Sequence, residues 1–104
     1  MKRYDITLIK LVDHKKKYKV VIKDRVDNTK KTVSFGDSSY PEDYLIHKDD
    51  KRKENYIKRH AKNEDWNNIY TAGFWSKWLL WNQTTLKKSI RDVEKLYDCN
   101  ITVQ

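Results

Sequence analysis

Residues 71–81 (TAGFWSKWLLW) constrain the fold of this chain more than any other segment, because they hold three of its four tryptophans and one of its two phenylalanines. An enclosed aromatic side chain removes roughly 150–250 Å² of surface from water. At roughly 25 cal/mol per Å², burial of the aromatic rings in this segment contributes at most on the order of 15–20 kcal/mol. The segment therefore predicts an aromatic core on which the other elements pack.

Helical spacing places Phe74, Trp78 and Trp81 on one face of this segment, at positions i, i+4 and i+7. Trp75 lies beside that face, and Leu80 points away from it. A helix with so wide an apolar arc is either buried between other elements or exposes aromatic rings to a partner. We expect a core helix; docking of another protein and stacking of nucleic-acid bases are the alternatives.

Charge is distributed unevenly along the chain. The sequence has 23 lysines and arginines against 15 aspartates and glutamates, a net charge of +8. Residues 1–36 carry +7 and residues 47–62 carry +4, whereas residues 37–46 carry −3 and residues 63–104 are neutral. Because a basic surface attracts polyanions, nucleic acid is the predicted partner. Binding to another protein or to a second copy of the chain is the alternative.

The single cysteine, Cys99, cannot form an internal disulfide or a thiolate zinc site, and it fits a reducing compartment. It is interpreted as a small buried residue, with a nucleophile as the alternative. The chain begins without the apolar run of a secretory leader, and no stretch approaches the length of about 18 apolar residues that spans a membrane. We expect an intracellular protein that is not secreted and has no membrane partner.

The first 36 residues predict an antiparallel β-meander with one apolar and one basic face. Its strands are expected over residues 3–12, 18–26 and 31–35, with polar turns at 13–17 and 27–30. The first strand has apolar residues on both faces, which is typical of a central strand. Gly36 is expected to end the third strand.

The remaining residues predict a mainly helical half. Pro41 with Glu42 and Asp43 can open a helical turn within an acidic connector, residues 37–46, whose apolar side chains pin it to the core. Three helices follow, capped in order by Asp49 or Asp50, by Thr71, and by Thr84 or Thr85. The last has the clearest apolar stripe, made of Leu86, Ile90, Val93 and Tyr97 and widened by Leu96.

The predicted fold is α+β, in a single domain over residues 1–104. A three-stranded antiparallel meander (1–36) packs against a helical C-terminal half (37–104), and residues 101–103 can return as a fourth, edge strand.

Two basic clusters are the candidate sites for phosphate. They are the polar turn with Lys15, Lys16 and Lys17 and the predicted helix with Lys51, Arg52, Lys58 and Arg59. Such residues position a protein on a nucleic-acid backbone without reading bases. A solvated basic face is the alternative interpretation.

No catalytic or cofactor motif stands out. The only collection of metal-like ligands is His47, Asp49, Asp50 and His60, and its spacing matches no metal motif. Helix capping by the aspartates is the simpler interpretation. With two glycines the chain has no glycine-rich phosphate loop. We therefore assign no catalytic residue, no metal and no cofactor.

Several short motifs together resemble an uncharacterised family of small basic proteins encoded by giant nucleocytoplasmic large DNA viruses (mimivirus-like and algal viruses). The resemblance covers residues 31–93. Its motifs are SFG at 34–36, Tyr44, HKD at 47–49, RK at 52–53, YIKRH at 56–60, EDW at 64–66, the aromatic segment 71–81, Leu86, SI at 89–90 and Asp92. The resemblance brings no activity with it. It implies a viral, DNA-associated or virion setting and directs attention to residues 47–60.

Three functions are thus expected in order. The first is a non-enzymatic accessory protein that binds nucleic-acid phosphates without sequence specificity. The second is an assembly protein that docks on another protein through aromatic side chains. The third is a small metal-dependent nuclease that uses His47, Asp49 or Asp50, and His60.

Overall fold

The predicted meander forms and gains a fourth strand. The computed structural model describes residues 2–40 and 42–104. Its strands are β1 (Tyr4–Lys10), β2 (Lys16–Asp24), β3 (Thr29–Asp37) and β4 (Cys99–Val103). They form one sheet in the order β3-β2-β1-β4, in which β4 runs parallel to β1 and the other neighbours are antiparallel. The α+β prediction is confirmed, and β1 is central as expected.

The helical half packs on one face of this sheet. Its helices are α1 (Tyr44–His47), α2 (Asp50–His60), α3 (Ala72–Trp75) and α4 (Leu86–Leu96). A π-helical turn, Ser76–Leu80, continues α3. The predicted caps hold, since Asp49, Thr71 and Thr85 each accept a hydrogen bond from a first-turn amide. Asp43 caps α1, and Pro41 lies outside the described residues.

Alternation along the strands decides which face of the sheet is covered. The pairs Ile6–Ile22 and Leu8–Val20 are buried under the helices. On the opposite face, Lys23 pairs with Lys30 across β2 and β3 and both side chains are exposed. This is the apolar and basic division that the sequence predicts.

The aromatic segment is less regular than a single helix. The spacing of four residues holds only as far as Trp75, after which the main chain opens to a π-helical turn closed by the bond from Trp81 N to Ser76 O, 3.2 Å. The wider turn rotates the following residues, so Leu80 is buried, whereas Trp78 is only half-buried. The prediction that Leu80 points away was therefore wrong, whereas Trp78 packs against the core, with its ring centroid 6.3 Å from that of Phe74.

Other differences concern the ends of strands and the burial of single residues. β2 starts at Lys16, so Lys16 and Lys17 belong to a strand and not to the predicted turn. β3 continues through Gly36 to Asp37, because Gly36 adopts a left-handed φ of 79° that lets the strand bend without ending. Ile46 and Leu96 were expected in the core, but each is 60% exposed.

Asp24 lies at the end of β2, is buried, and links the start of β1 to the β2–β3 turn. Its carboxylate accepts two hydrogen bonds from the Arg3 guanidinium, at 3.1 and 2.9 Å, and two from the amides of Val26 and Asp27. The Arg3 hydrogen bonds, helped by the two amides, lower the pKa of Asp24 to about 2. The carboxylate therefore stabilises both the β2–β3 turn and the entry to β1.

Among the described residues, no helix combines the length and the apolar character needed to cross a membrane.

Trp75→Ala tests the aromatic core. Trp75 has no exposed surface, and its indole Nε1 donates to the Ile69 carbonyl at 2.7 Å. We expect the free energy of unfolding to fall by about 3–5 kcal/mol, because the substitution leaves a cavity and an unpaired carbonyl. Urea denaturation measures the change. Leu96→Ala is the control at an exposed position, and it should stay within about 0.5 kcal/mol of wild type.

Asp24→Asn tests the buried ion pair through pH. The pKa of Asp24 is about 2 in the folded state against an ordinary value of 3.8. Stabilisation from the ionised carboxylate is therefore complete above about pH 5 and is lost as the pH falls towards 2. Thermal melts over this range should show a smaller pH dependence for Asp24→Asn than for wild type. Exposed Asp13→Asn should keep the wild-type dependence, and identical behaviour of all three proteins would contradict the assignment.

Candidate functional site

A cleft of about 400 Å³ opens where the start of β2 and the end of β3 approach the C-terminal end of α2. We call it the β2–α2 cleft. Its lining residues are Lys16, Lys17, Gly36, Asp37, Tyr40, Asp43, Tyr56, Arg59, His60, Glu64, Ala72, Gly73, Ser76, Leu80 and Trp81. Residues from both halves of the fold meet here, so the cleft exists only after the helices have packed on the sheet.

Both predicted basic clusters contribute to the cleft. Lys16 and Lys17 come from the start of β2, and Arg59 comes from the last turn of α2. Lys17 Nζ forms a 3.0 Å ion pair with the largely buried carboxylate of Asp43, which also caps α1. Within the described part of the chain, Lys16 and Arg59 form no ion pair with a carboxylate. The cleft therefore carries two cations that are not neutralised by direct contact.

Aromatic rings form one wall of the cleft. Tyr56 is sandwiched between His60, with ring centroids 4.2 Å apart, and Trp81, with centroids 4.3 Å apart and planes at 1°. Tyr40 lies at 6.0 Å from Trp81 and is 43% exposed. Its hydroxyl accepts a 2.9 Å hydrogen bond from Arg52, which orients the ring at the edge of the cleft.

Glu64 organises the opposite side. Its carboxylate pairs with His60 Nδ1 at 3.1 Å and accepts a 2.8 Å hydrogen bond from Trp66 Nε1. It also lies against Gly73, where a Cβ atom would come within 2.8 Å of the carboxyl carbon. At Gly36 a Cβ atom would come within 2.9 Å of Leu80 Cδ1. Both glycines of the chain thus line the cleft, at positions where a side chain would collide with its walls.

The other predicted phosphate-binding residues lie outside the cleft. Arg52 pairs with Glu42 at 3.3 Å and Lys58 pairs with Glu54 at 2.9 Å, so each has a carboxylate partner. Lys15 and Lys51 are exposed. The structure therefore gathers Lys16, Lys17 and Arg59 at one site and leaves the other four outside it.

The four metal-like ligands have separate structural roles. His47 Nδ1 accepts from the Asp49 amide at 2.9 Å, so its proton sits on Nε2, and burial lowers the pKa of this histidine. Asp49 caps α2, Asp50 accepts from the Tyr44 hydroxyl at 2.5 Å, and His60 pairs with Glu64. In residues 2–40 and 42–104, no three His, Cys, Asp or Glu side chains come together in a group that could hold a metal ion.

Cys99 and Lys77 concern two alternatives raised by the sequence, which are a cysteine nucleophile and the stacking of nucleic-acid bases on tryptophan rings. Cys99 is buried, and burial raises the pKa of its thiol to about 11, so the thiol is protonated at neutral pH. Lys77 Nζ lies 3.4 Å from the ring centroid of Trp78 and 5.4 Å from that of Trp66. The half-buried indoles of Trp66 and Trp78 are thus in contact with a lysine of the chain itself.

Most lysine and arginine side chains of the described chain are not in ion pairs. Only Arg3, Lys17, Arg25, Arg52 and Lys58, among the 23 lysines and arginines, form an ion pair with a carboxylate of the described chain. Other carboxylates accept main-chain hydrogen bonds: Glu94 bonds the Ile101 amide of the edge strand β4, and Asp98 bonds the Arg3 amide. Direct contact with a carboxylate therefore holds only a minority of the basic side chains of the described chain.

Sequence reasoning found the cations of the cleft but not its other walls. Tyr40, Asp43 and Glu64 were not predicted to share a site with these cations, although Glu64 stands in the EDW motif and Asp43 in the predicted helical turn. The available signal was the pair of glycines in a chain that otherwise has none, since an isolated glycine often marks a close approach of the main chain.

A family model matches residues 6–60, which is more than half of the chain. Its description is "Family of unknown function (DUF5754)". The chain belongs to this family. The matched part of the chain runs from β1 to the end of α2 and includes all the basic residues predicted to bind phosphate. No curated protein and no solved structure matches the chain.

Gly73→Ala tests the packing of Glu64. We expect the methyl group to displace the Glu64 carboxylate from His60 and Trp66 and to lower stability by about 1–2 kcal/mol. In a Glu64→Ala background the same change should be neutral, or stabilising by up to about 1 kcal/mol, because alanine is favoured over glycine in a helix. A double-mutant cycle by urea denaturation measures the coupling. Additive effects would show that the two residues do not interact.

Proposed function

We propose that this protein binds nucleic-acid phosphates without sequence specificity, mainly through basic side chains that the fold brings to one surface. The observation that carries the proposal is the convergence of Lys16, Lys17 and Arg59, from two distant parts of the sequence, on one cleft. Lys15 extends this site along the β1–β2 turn, and Lys51 adds charge on the exposed side of α2. Arg52 and Lys58 take a smaller part, because carboxylates already neutralise them.

Electrostatics supports this proposal over protein docking. Each Lys or Arg that contacts a phosphate releases a condensed counterion, so a surface with many unpaired cations gains affinity from each contact. The aromatic rings that docking would require are largely in the core, where Phe74 and Trp75 have no exposed surface. Without a motif that presents donors to base edges, the contacts would position the protein on a backbone without reading sequence.

The viral or virion setting implied by the resemblance over residues 31–93 stays a prediction, as does the preference for DNA over RNA. Comparing DNA and RNA of one sequence in the assay below addresses that preference.

Salt dependence tests the proposal. Binding of a fluorescent, unphosphorylated DNA duplex is followed by anisotropy at several salt concentrations. Affinity should fall with salt, with a logarithmic slope of about −0.9 for every phosphate neutralised. Lys16→Gln/Arg59→Gln should make the slope less negative by about 2, because each substituted cation leaves one phosphate without neutralisation. Lys87→Gln/Lys88→Gln, with the same charge change at exposed positions on α4, is the matched control. Binding that does not respond to salt, or an equal weakening in both variants, would contradict the proposal.

A further inference from the structure

The size of the β2–α2 cleft limits what can enter it. Its volume of about 400 Å³ lies in the lower part of the range of small-molecule sites, roughly 300–1,000 Å³. A duplex can contact the parts of Lys16 and Arg59 that are open to solvent, but it is too wide to enter such a space. A single nucleotide, or the unpaired end of one strand, has a suitable size.

The charges in the cleft suit a terminal phosphate better than a bridging one. Lys16 and Arg59 are the two lining lysine or arginine side chains that form no ion pair with a carboxylate in the described chain, while Lys17 is held by Asp43. Lys16 lies across from Asp37 on β3 and contributes, after the Ser39 hydrogen bonds, to the lowered pKa of that carboxyl. Of the two cations, Arg59 is therefore the less compensated. A phosphomonoester carries a charge of nearly −2 at neutral pH, whereas each bridging phosphate of a strand carries −1. Arginine can bind two phosphate oxygens at once, and lysine supplies a point charge beside it.

The walls of the cleft suit the remainder of a nucleotide. Tyr40 exposes part of its ring at the cleft and is oriented by the hydrogen bond from Arg52, so a base can stack on it at low entropic cost. Gly36 and Gly73 let the main chain and Glu64 form walls that a Cβ atom would obstruct. The cleft therefore combines a cationic part with an aromatic part, as a nucleotide requires.

We propose that the β2–α2 cleft binds a nucleotide phosphomonoester, with Lys16 and Arg59 on the phosphate and Tyr40 against the base. The ligand is the phosphorylated end of a single strand or a free nucleotide, which share this chemistry. The inference rests on the proposed function for its ligand class, and it adds a site that recognises ends to a surface that binds bridging phosphates.

Two labelled single strands of one sequence, with and without a 5′-phosphate, test the inference by anisotropy at constant salt. A third strand with a 3′-phosphate shows which end is preferred. We expect at least one phosphorylated end to bind about tenfold more tightly, the effect of a charge-assisted hydrogen bond. Equal affinity for all three strands would overturn the inference while leaving salt-dependent duplex binding intact, so the two proposals fail separately.

Ala72→Phe separates the cleft from the surrounding charge. Ala72 is exposed and lines the cleft, so phenylalanine obstructs the space without changing any charge. The variant should lose the preference for a phosphorylated end and keep the salt-dependent binding of the duplex. Lys87→Gln/Lys88→Gln should keep the preference. Retention of the preference in Ala72→Phe would place end recognition outside the cleft and overturn the inference.

Competition distinguishes the sources of the phosphate. A nucleoside monophosphate should displace the phosphorylated strand, and inorganic phosphate at the same ionic strength should displace it less well, because it gains nothing from Tyr40. Tyr40→Ala should remove this difference. Equal competition by the two compounds against wild type would overturn the assignment of a nucleotide site.

Discussion

Enclosure of the Trp75 indole holds the two halves of this protein together. The ring has no exposed surface, lies 5.0 Å from Phe74 and 6.4 Å from Phe35 on β3, and donates its N–H to the Ile69 carbonyl. Because that donor is satisfied inside the core, the whole side chain can leave water without an unpaired polar group. The residues that follow must then reach the core from this fixed point, and the π-helical turn Ser76–Leu80 brings Leu80 and Trp81 there.

Several carboxylates have structural partners within the fold. Asp24 and Asp43 are buried against Arg3 and Lys17, and Asp49 caps a helix. Asp24 and Asp43 are thereby each committed to a basic side chain, and Asp49 is committed to main-chain amides. Most of the other carboxylates are exposed, so the positive surface follows from the composition, in which lysines and arginines exceed carboxylates by eight. The β2–α2 cleft shows both patterns, because Lys17 is held there by Asp43, whereas Lys16 and Arg59 form no ion pair in the described chain.

Local sequence signals predicted the elements that depend on nearest neighbours. Alternating apolar residues defined β1 and β2, and Asp49, Thr71 and Thr85 identified the starts of three helices, because capping involves only the next few amides. The errors lie where distant contacts decide. Pairing with β3 places Lys16 and Lys17 in strand β2, whereas Lys15 stays in the turn. Leu96 is exposed because α4 presents a narrower face to the sheet than its sequence suggested.

The sequence by itself determined the class of fold, the aromatic core and the excess of basic residues, since these follow from composition and short-range periodicity. Tertiary structure alone decided which cations share a surface. Along the chain, most of β2, all of β3 and α1, and most of α2 lie between Lys16 and Arg59, and the two residues line one cleft because β2 and α2 pack on the same aromatic segment. No local pattern records such a meeting, because the relative position of two elements depends on side-chain packing in the core between them.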